Sequence, residues 1–262
     1  MPIVFDRRSI FAAVLAFGLG SGPAAAQNDA PVVAAASDLQ FAVEEVAAAF
    51  AAETGMQVRL SFGSTGNFAR QIREGAPFQI FMAADEKFIE ALHRDGFLRD
   101  AGDLYGLGRI VVKVPDGSTL TPDGSLQGLR AALAAGQITR FAIANPDHAP
   151  YGMRAREALQ HAGVWEDIQP FLVLGENVSQ AAQFALSGNA EGGIIALSLA
   201  LAPQVAARGT HDLIPEAFHQ PLRQRMALLT AAGPVAEAFY AYMNAPAARE
   251  IMERYGFVLP EE

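Results

Sequence analysis

The chain has 262 residues, carries a formal net charge of −9 at pH 7, is 51% hydrophobic and contains no cysteine. The lack of cysteine excludes disulfides, thiolate catalysis, cysteine metal sites and lipid attachment through a cysteine. The negative charge makes nucleic acid and anionic lipid poor partners.

Residues 1–26 read as a secretory signal peptide. Arg7-Arg8 supplies the charged region, residues 10–19 a short apolar run, and Ala24-Ala25-Ala26 the small-residue site, with cleavage expected after Ala26. The apolar run is too short to span a bilayer. Arg7-Arg8 permits a twin-arginine signal, but the surrounding residues match that motif poorly and the general secretory route is preferred. Cleavage removes Asp6, Arg7 and Arg8 and leaves a chain of about 236 residues with a charge of about −10, enough for one large domain or two ordinary ones. No later segment has the uninterrupted apolar length of a transmembrane helix, so a soluble periplasmic protein without a membrane anchor is expected.

Residues 32–36 are a continuous apolar run and predict a buried strand; residues 38–54, with Leu39, Ala42, Val46 and Phe50 near helical spacing, predict a helix closed by Gly55. Val58, Leu60 and Phe62 alternate as a strand, 67–74 predicts a short helix, 78–82 a strand and 85–95 a helix ended by Gly96. This β-α-β-α-β-α order argues for a parallel sheet with right-handed crossovers. A second set follows the strand at 110–114: helix 126–135, strand 140–144, helix 153–162, strand 171–174, helix 179–186 and strand 193–197. A strand at 226–230 and two helices within 234–255, separated near Asn244-Ala245-Pro246, complete the chain. The economical reading is two α/β lobes, the first from 27–109 and 223–262, the second from 110–222, with crossings near Gly108 to Ile110 and Leu222 to Met226.

Two hydroxyl-bearing turns, Ala35-Ala36-Ser37-Asp38-Leu39 and Phe62-Gly63-Ser64-Thr65-Gly66-Asn67, each end an extended run and open a helix. A short hydroxyl and uncommitted N–H groups at the positive end of a helix hold a small anion without any Lys or Arg. Ser37 with Gln40 also has capping-box spacing, and Thr65 can equally be read as an ordinary cap. Asn145-Pro146-Asp147-His148-Ala149-Pro150-Tyr151-Gly152 and Glu176-Asn177-Val178-Ser179 repeat the strand-to-helix pattern in the second lobe, offering the N–H groups of Tyr151 and Val178. In α/β sheets, ligands sit beyond the carboxyl ends of the strands, where all four turns fall.

These segments, together with Ser61-Phe62-Gly63-Ser64-Thr65-Gly66-Asn67-Phe68-Ala69-Arg70-Gln71-Ile72, Phe81-Met82-Ala83-Ala84-Asp85 and Arg254-Tyr255-Gly256-Phe257, resemble the periplasmic molybdate-binding proteins of ABC importers, in order over nearly the whole mature chain. The resemblance implies a type II periplasmic-binding fold, two α/β lobes joined by a two-strand hinge, closing on molybdate or tungstate for delivery to a membrane permease. It implies a non-enzymatic monomer with no cofactor, molybdenum entering only as its oxyanion. It carries the oxyanion contacts to the hydroxyl and N–H of Ser37, the hydroxyl and N–H of Thr65, and the N–H groups of Tyr151 and Val178. Some relatives add a tyrosine hydroxyl where this chain has Ala196; either Ser198, another donor or a water stands in, or the pocket makes one bond fewer. Asp38 and Ser64 are further candidates.

Asp38 sits in an acidic first turn, and its side chain is expected to face solvent. If it faced inward it would favour a protonated anion such as hydrogen phosphate, so a receptor for sulfate, thiosulfate or phosphate is the alternative ligand class. An exported hydrolase using Ser37 ranks lower, because no nucleophile elbow or base arrangement accompanies it. Among His93, His148, His161, His211 and His219 no metal-ligand pair is recognisable; His211 and His219 are expected as exposed singles, and His148 as a residue that shapes the Tyr151 turn. Arg70 is expected in a surface or interlobe ion pair.

Overall fold

The computed structural model describes residues 30–260. The proposed signal peptide therefore lies outside the described residues. In chain order the elements are β1 (Val32–Ala36), α1 (Gln40–Thr54), β2 (Arg59–Gly63), α2 (Thr65–Arg73), β3 (Phe78–Ala83), α3 (Glu86–Arg94), β4 (Asp103–Gly108) and β5 (Ile110–Pro115). There follow α4 (Gln127–Ala134), β6 (Phe141–Ala144), α5 (Pro150–His161), α6 (Trp165–Ile168), β7 (Leu172–Gly175), α7 (Val178–Ala185), β8 (Gly192–Ala196), α8 (Leu197–Leu201) and α9 (Pro203–Ala206). The chain ends through β9 (Gly209–Leu213), β10 (Leu222–Leu228), α10 (Pro234–Tyr242) and α11 (Pro246–Arg254).

Two five-stranded sheets result, ordered β2-β1-β3-β10-β4 and β7-β6-β8-β5-β9. In each, one strand pairs in parallel with two neighbours: β1 with β2 and β3, and β6 with β7 and β8. Each sheet also takes antiparallel strands, β10 and β4 in the first, β5 and β9 in the second. The chain crosses between sheets at Arg109, between β4 and β5, and again between β9 and β10. This is the two-lobe fold with a two-strand connection that the sequence predicts. Leu222, placed in the second lobe from sequence, opens β10 opposite Gly108 in the first sheet, while its buried side chain packs in the second lobe's core.

The first sheet is sandwiched, and strand alternation sorts its side chains. Val33, Ala35, Ile80 and Met82 point into one core with Leu39, Val46, Phe50, Phe239 and Met252; Ala34, Phe81 and Ala83 point into the other with Phe68, Ile72, Ile89 and Leu92. The C-terminal helices thus close the first lobe, and the Phe50 and Phe239 rings meet edge to face at 5.3 Å. The second lobe has a single core around Phe141, Ile143, Ile194, Ile195 and Leu159.

Four local expectations are corrected. Ser37 to Leu39 form a 3-10 turn, α1 starts at Gln40, and no side-chain cap bond joins Ser37 to Gln40, so the capping box is not made. The cap of α2 is Ser64, whose hydroxyl accepts the Asn67 N–H at 3.4 Å, not Thr65. His211 lies half-buried on β9 opposite Lys113 and is not exposed, its pKa lowered by burial and by the Lys113 charge. His219 is half-buried as well, its Nδ1 2.8 Å from the Gln220 carbonyl.

Candidate functional site

The parallel registers decide where the site forms. Ala36 lies opposite Gly63 at the carboxyl ends of β1 and β2, so Ser37 and Ser64-Thr65 leave the first sheet side by side. Ala144 lies opposite Gly175 at the ends of β6 and β7, and α5 and α7 start from the turns beyond. The two edges face each other across a cavity with at most about 180 Å³ of empty space. Its walls are Ala36, Ser37, Asp38, Gly63, Ser64, Thr65 and Ala84 from the first lobe, and Ala149, Pro150, Tyr151 and Val178 from the second. The space suits an ion or a very small molecule.

Ser37, Thr65, Tyr151 and Val178 are thus brought together, and helix geometry leaves donors among them. Thr65 and Val178 are the first residues of α2 and α7, and Tyr151 is the second of α5 behind Pro150. First-turn N–H groups have no intrahelical acceptor. The cap oxygens of Ser64 and Asn177 are taken by the N–H groups of Asn67 and Gln180, further along each helix. A Cβ at Gly152 would fall 2.1 Å from the Ala144 carbonyl oxygen, so α5 starts this close to β6 only because position 152 is glycine.

The two hydroxyls are oriented by the protein. Ser37 Oγ accepts the Ser179 N–H at 3.3 Å, and Thr65 Oγ1 accepts the Ala84 N–H at 3.0 Å. A hydroxyl whose lone pair is already accepting still has a proton to give. Ser64 differs, because its Oγ lies 2.8 Å from His148 Nδ1 across the cleft. With the other ring nitrogen 3.6 Å from Glu176, the tautomer carrying N–H there leaves Nδ1 to accept the Ser64 proton. Ser64 walls the cavity but spends its hydroxyl on the opposite lobe.

The lobes are closed on each other. Gly66 N–H donates to the His148 carbonyl at 2.9 Å, Ser179 Oγ donates to the Ser37 carbonyl at 2.8 Å, and Asn67 Nδ2 donates to Glu176. Arg154 Nη2, on α5, pairs with Asp85 Oδ2, just before α3, at 2.7 Å with both residues buried. Arg70 takes no part: it is exposed and lies 3.9 Å from Glu74 on its own helix.

Asp38 overturns its sequence expectation. It is 1% exposed and faces inward. Its Oδ2 accepts the Tyr151 hydroxyl at 3.0 Å and Gln224 Nε2 at 2.8 Å, while Tyr105 donates to Gln224 Oε1 at 2.8 Å. Oδ1 has no partner. Burial pushes the Asp38 pKa up to about 6 despite the bonds from Gln224 and Tyr151, and burial beside Asp38 raises both tyrosines well above their ordinary value. The acidic first turn lies against α7 and α8 of the other lobe, which removes it from water. Gln224, Tyr105 and Ser179 carry no sequence signal of this role.

Ser198 is also corrected. Its hydroxyl donates to the Asp38 carbonyl at 2.7 Å and it does not wall the cavity. Ala196 ends β8 opposite Ile110 and likewise stands outside the wall. Among the described residues, none that walls the cavity is Lys or Arg, and no group of three or more His, Cys, Asp or Glu is placed to hold a metal ion. The site can bind an anion through hydroxyls and helix N–H groups.

The sequence profile of bacterial extracellular solute-binding proteins matches residues 31–258. The chain is 34% identical to the molybdate-binding protein ModA of Azotobacter vinelandii over 94% of this chain and 96% of that protein. It is 31% identical to the molybdate-binding protein ModA of Escherichia coli (strain K12), over 94% and 95% respectively. The solved periplasmic molybdate-binding protein of Azotobacter vinelandii superposes with a TM-score of 0.80 at 31% identity, over 88% of this chain and 100% of that one. A sulfate-binding protein of Mycobacterium tuberculosis, at 17% identity and a TM-score of 0.71, shares the fold.

Proposed function

Because the chain belongs to the bacterial extracellular solute-binding proteins and, within them, to the periplasmic molybdate-binding proteins, we propose that it captures molybdate between its lobes and delivers it to an ABC permease. It is a solute-binding protein and not an enzyme. In this reading the hydroxyls of Ser37 and Thr65 and the N–H groups of Ser37, Thr65, Tyr151 and Val178 surround the four oxygens of the anion. Tungstate, of the same charge and nearly the same size, enters the same cage. Export through a signal peptide cut after Ala26, with a monomeric protein in the periplasm, completes the proposal.

The observation that carries it is the small cavity between the lobes, walled by first-turn residues of three helices and by two hydroxyls already oriented by N–H donors. Hydrogen bonds to a charged partner are worth about 1.5–3 kcal/mol each, so four of them support roughly micromolar binding before association costs. Thermal unfolding of the mature protein tests the reading. Molybdate and tungstate should raise the midpoint, sulfate and phosphate should not, and no shift with either metalate would overturn it. The inward Asp38 favours a second reading, a protonated anion such as hydrogen phosphate; competition calorimetry between phosphate and molybdate separates the two.

A further inference from the structure

Asp38 is the only charged side chain, among the described residues, in the wall of a cavity that the proposed function fills with a dianion. An ionised, desolvated carboxylate beside such a ligand would repel it strongly. Nothing nearby neutralises Asp38. The titratable groups that face it are Tyr151 from α5 and Tyr105 from β4, both held neutral, and Gln224 from β10 is uncharged. The turn containing Asp38 packs on α1, β2, α7 and α8; α7 and α8 carry no ionisable side chain, and Glu44, Glu45 and Glu53 of α1 and Arg59 of β2 neither bond to Asp38 nor shift it. Oδ2 is saturated by Tyr151 and Gln224, and Oδ1 is buried with no partner. A proton on Oδ1 removes the repulsion and turns the unpartnered acceptor into a donor.

We propose that Asp38 is itself a ligand residue of the cage, and that binding a tetrahedral dianion takes up one proton from solvent, held between Asp38 Oδ1 and an anion oxygen. The balance is one carboxylate, one dianion and one solvent proton before binding, and a hydrogen-bonded pair of total charge −2 after it. No covalent bond to the anion forms. The proposal rests on the reading of the cleft as an oxyanion site. An anion that already carries a proton can donate it to ionised Asp38 and needs no uptake. For molybdate, affinity should fall with rising pH once the free protein's Asp38 is ionised, by about tenfold per pH unit at full linkage.

Titration calorimetry of the mature protein with sodium molybdate at pH 8, in Tris and in HEPES, measures the proton directly. The expected result is a heat that differs between buffers by the ionisation enthalpy of close to one proton per molybdate, with a Kd about tenfold weaker at pH 8 than at pH 7. In Asp38→Asn, whose amide keeps the shape and offers an N–H, binding should persist with no buffer dependence and a flat pH profile. Saturable binding with buffer-independent heat in the wild type overturns the proposal. So does proton uptake that survives in Asp38→Asn, which would place it elsewhere. If the folded wild type gives no heat with molybdate at all, the oxyanion reading fails, a result distinct from binding without a proton.

Discussion

Thr65→Val separates the two things the Thr65 hydroxyl is placed to do. The residue is fully buried, and valine fills nearly the same space without the oxygen. The first consequence lies within the first lobe: the Ala84 N–H, which donates to Thr65 Oγ1 at 3.0 Å, loses its acceptor. An orphaned buried donor costs about 1–3 kcal/mol, and for a protein of this size each kcal/mol lowers the unfolding midpoint by about 2–4 °C, so the ligand-free protein should melt roughly 2–12 °C earlier. The second consequence exists only with the anion bound. Losing one charge-assisted bond of about 1.5–3 kcal/mol should weaken molybdate binding roughly 10- to 150-fold. Thr65→Ser keeps the oxygen and should nearly restore both. Unfolding without ligand reads the first effect and titration calorimetry the second. A Thr65→Val protein that melts early yet keeps its Kd within about threefold would show that the hydroxyl serves Ala84 alone.

Closure can be tested without touching the cage. A Cβ at Gly66 would fall 2.5 Å from the His148 carbonyl oxygen in the opposite lobe, so Gly66→Ala should leave the ligand-free protein as stable as before, or more so, while weakening binding about 5- to 150-fold through overpacking of the closed state. Scattering should then show little compaction on adding molybdate. Asp85→Asn keeps the cap of α3, where Asp85 Oδ1 accepts the Lys87 N–H, and removes the carboxylate charge from Arg154. Breaking a buried pair costs about 3–5 kcal/mol, but Glu157 still pairs with Arg154 at 2.7 Å and the open form rehydrates the arginine, so a loss of about 1–3 kcal/mol in binding with little change in ligand-free stability is expected. Equal losses in both measurements would mean that the pair holds the fold and not the closure.

What the sequence reveals follows how local the deciding physics is. The strands at 32–36, 78–83 and 192–196 are apolar runs, and the turns at Ser37, Thr65, Tyr151 and Val178 are strand-to-helix junctions; each is written within a few residues. β4, with Gly106 and Gly108, and β9, with Thr210, His211 and Asp212, carry no strand pattern of their own; they are strands because they pair at the edges of finished sheets. The site divides the same way. Main-chain donors were legible because a helix start exposes N–H groups wherever it occurs. The inward Asp38 was not, because Gln224 stands 186 residues away and Tyr151 comes from the other lobe. Acidic first turns face solvent by default, and only the closed lobes reverse that default.

That reversal bears on how a chain of charge −9 holds a dianion. Long-range attraction works against it, and no cation among the described residues walls the cavity, so the favourable terms act within hydrogen-bond distance and only when both lobes are present. Closing without an anion would face the first-turn N–H groups of Thr65, Tyr151 and Val178 into a small cavity with few acceptors, at the cost of leaving buried donors unmet. Opening returns those groups, and Asp38, to water. A ligand shifts such an equilibrium only by its differential affinity for the two forms, and here the differential is set by donors from two lobes meeting on one ion. An anion too large for the cavity keeps the lobes apart, and one too small leaves donors from one lobe unsatisfied. Selection by size therefore arises from closure itself, without any group that recognises the central atom.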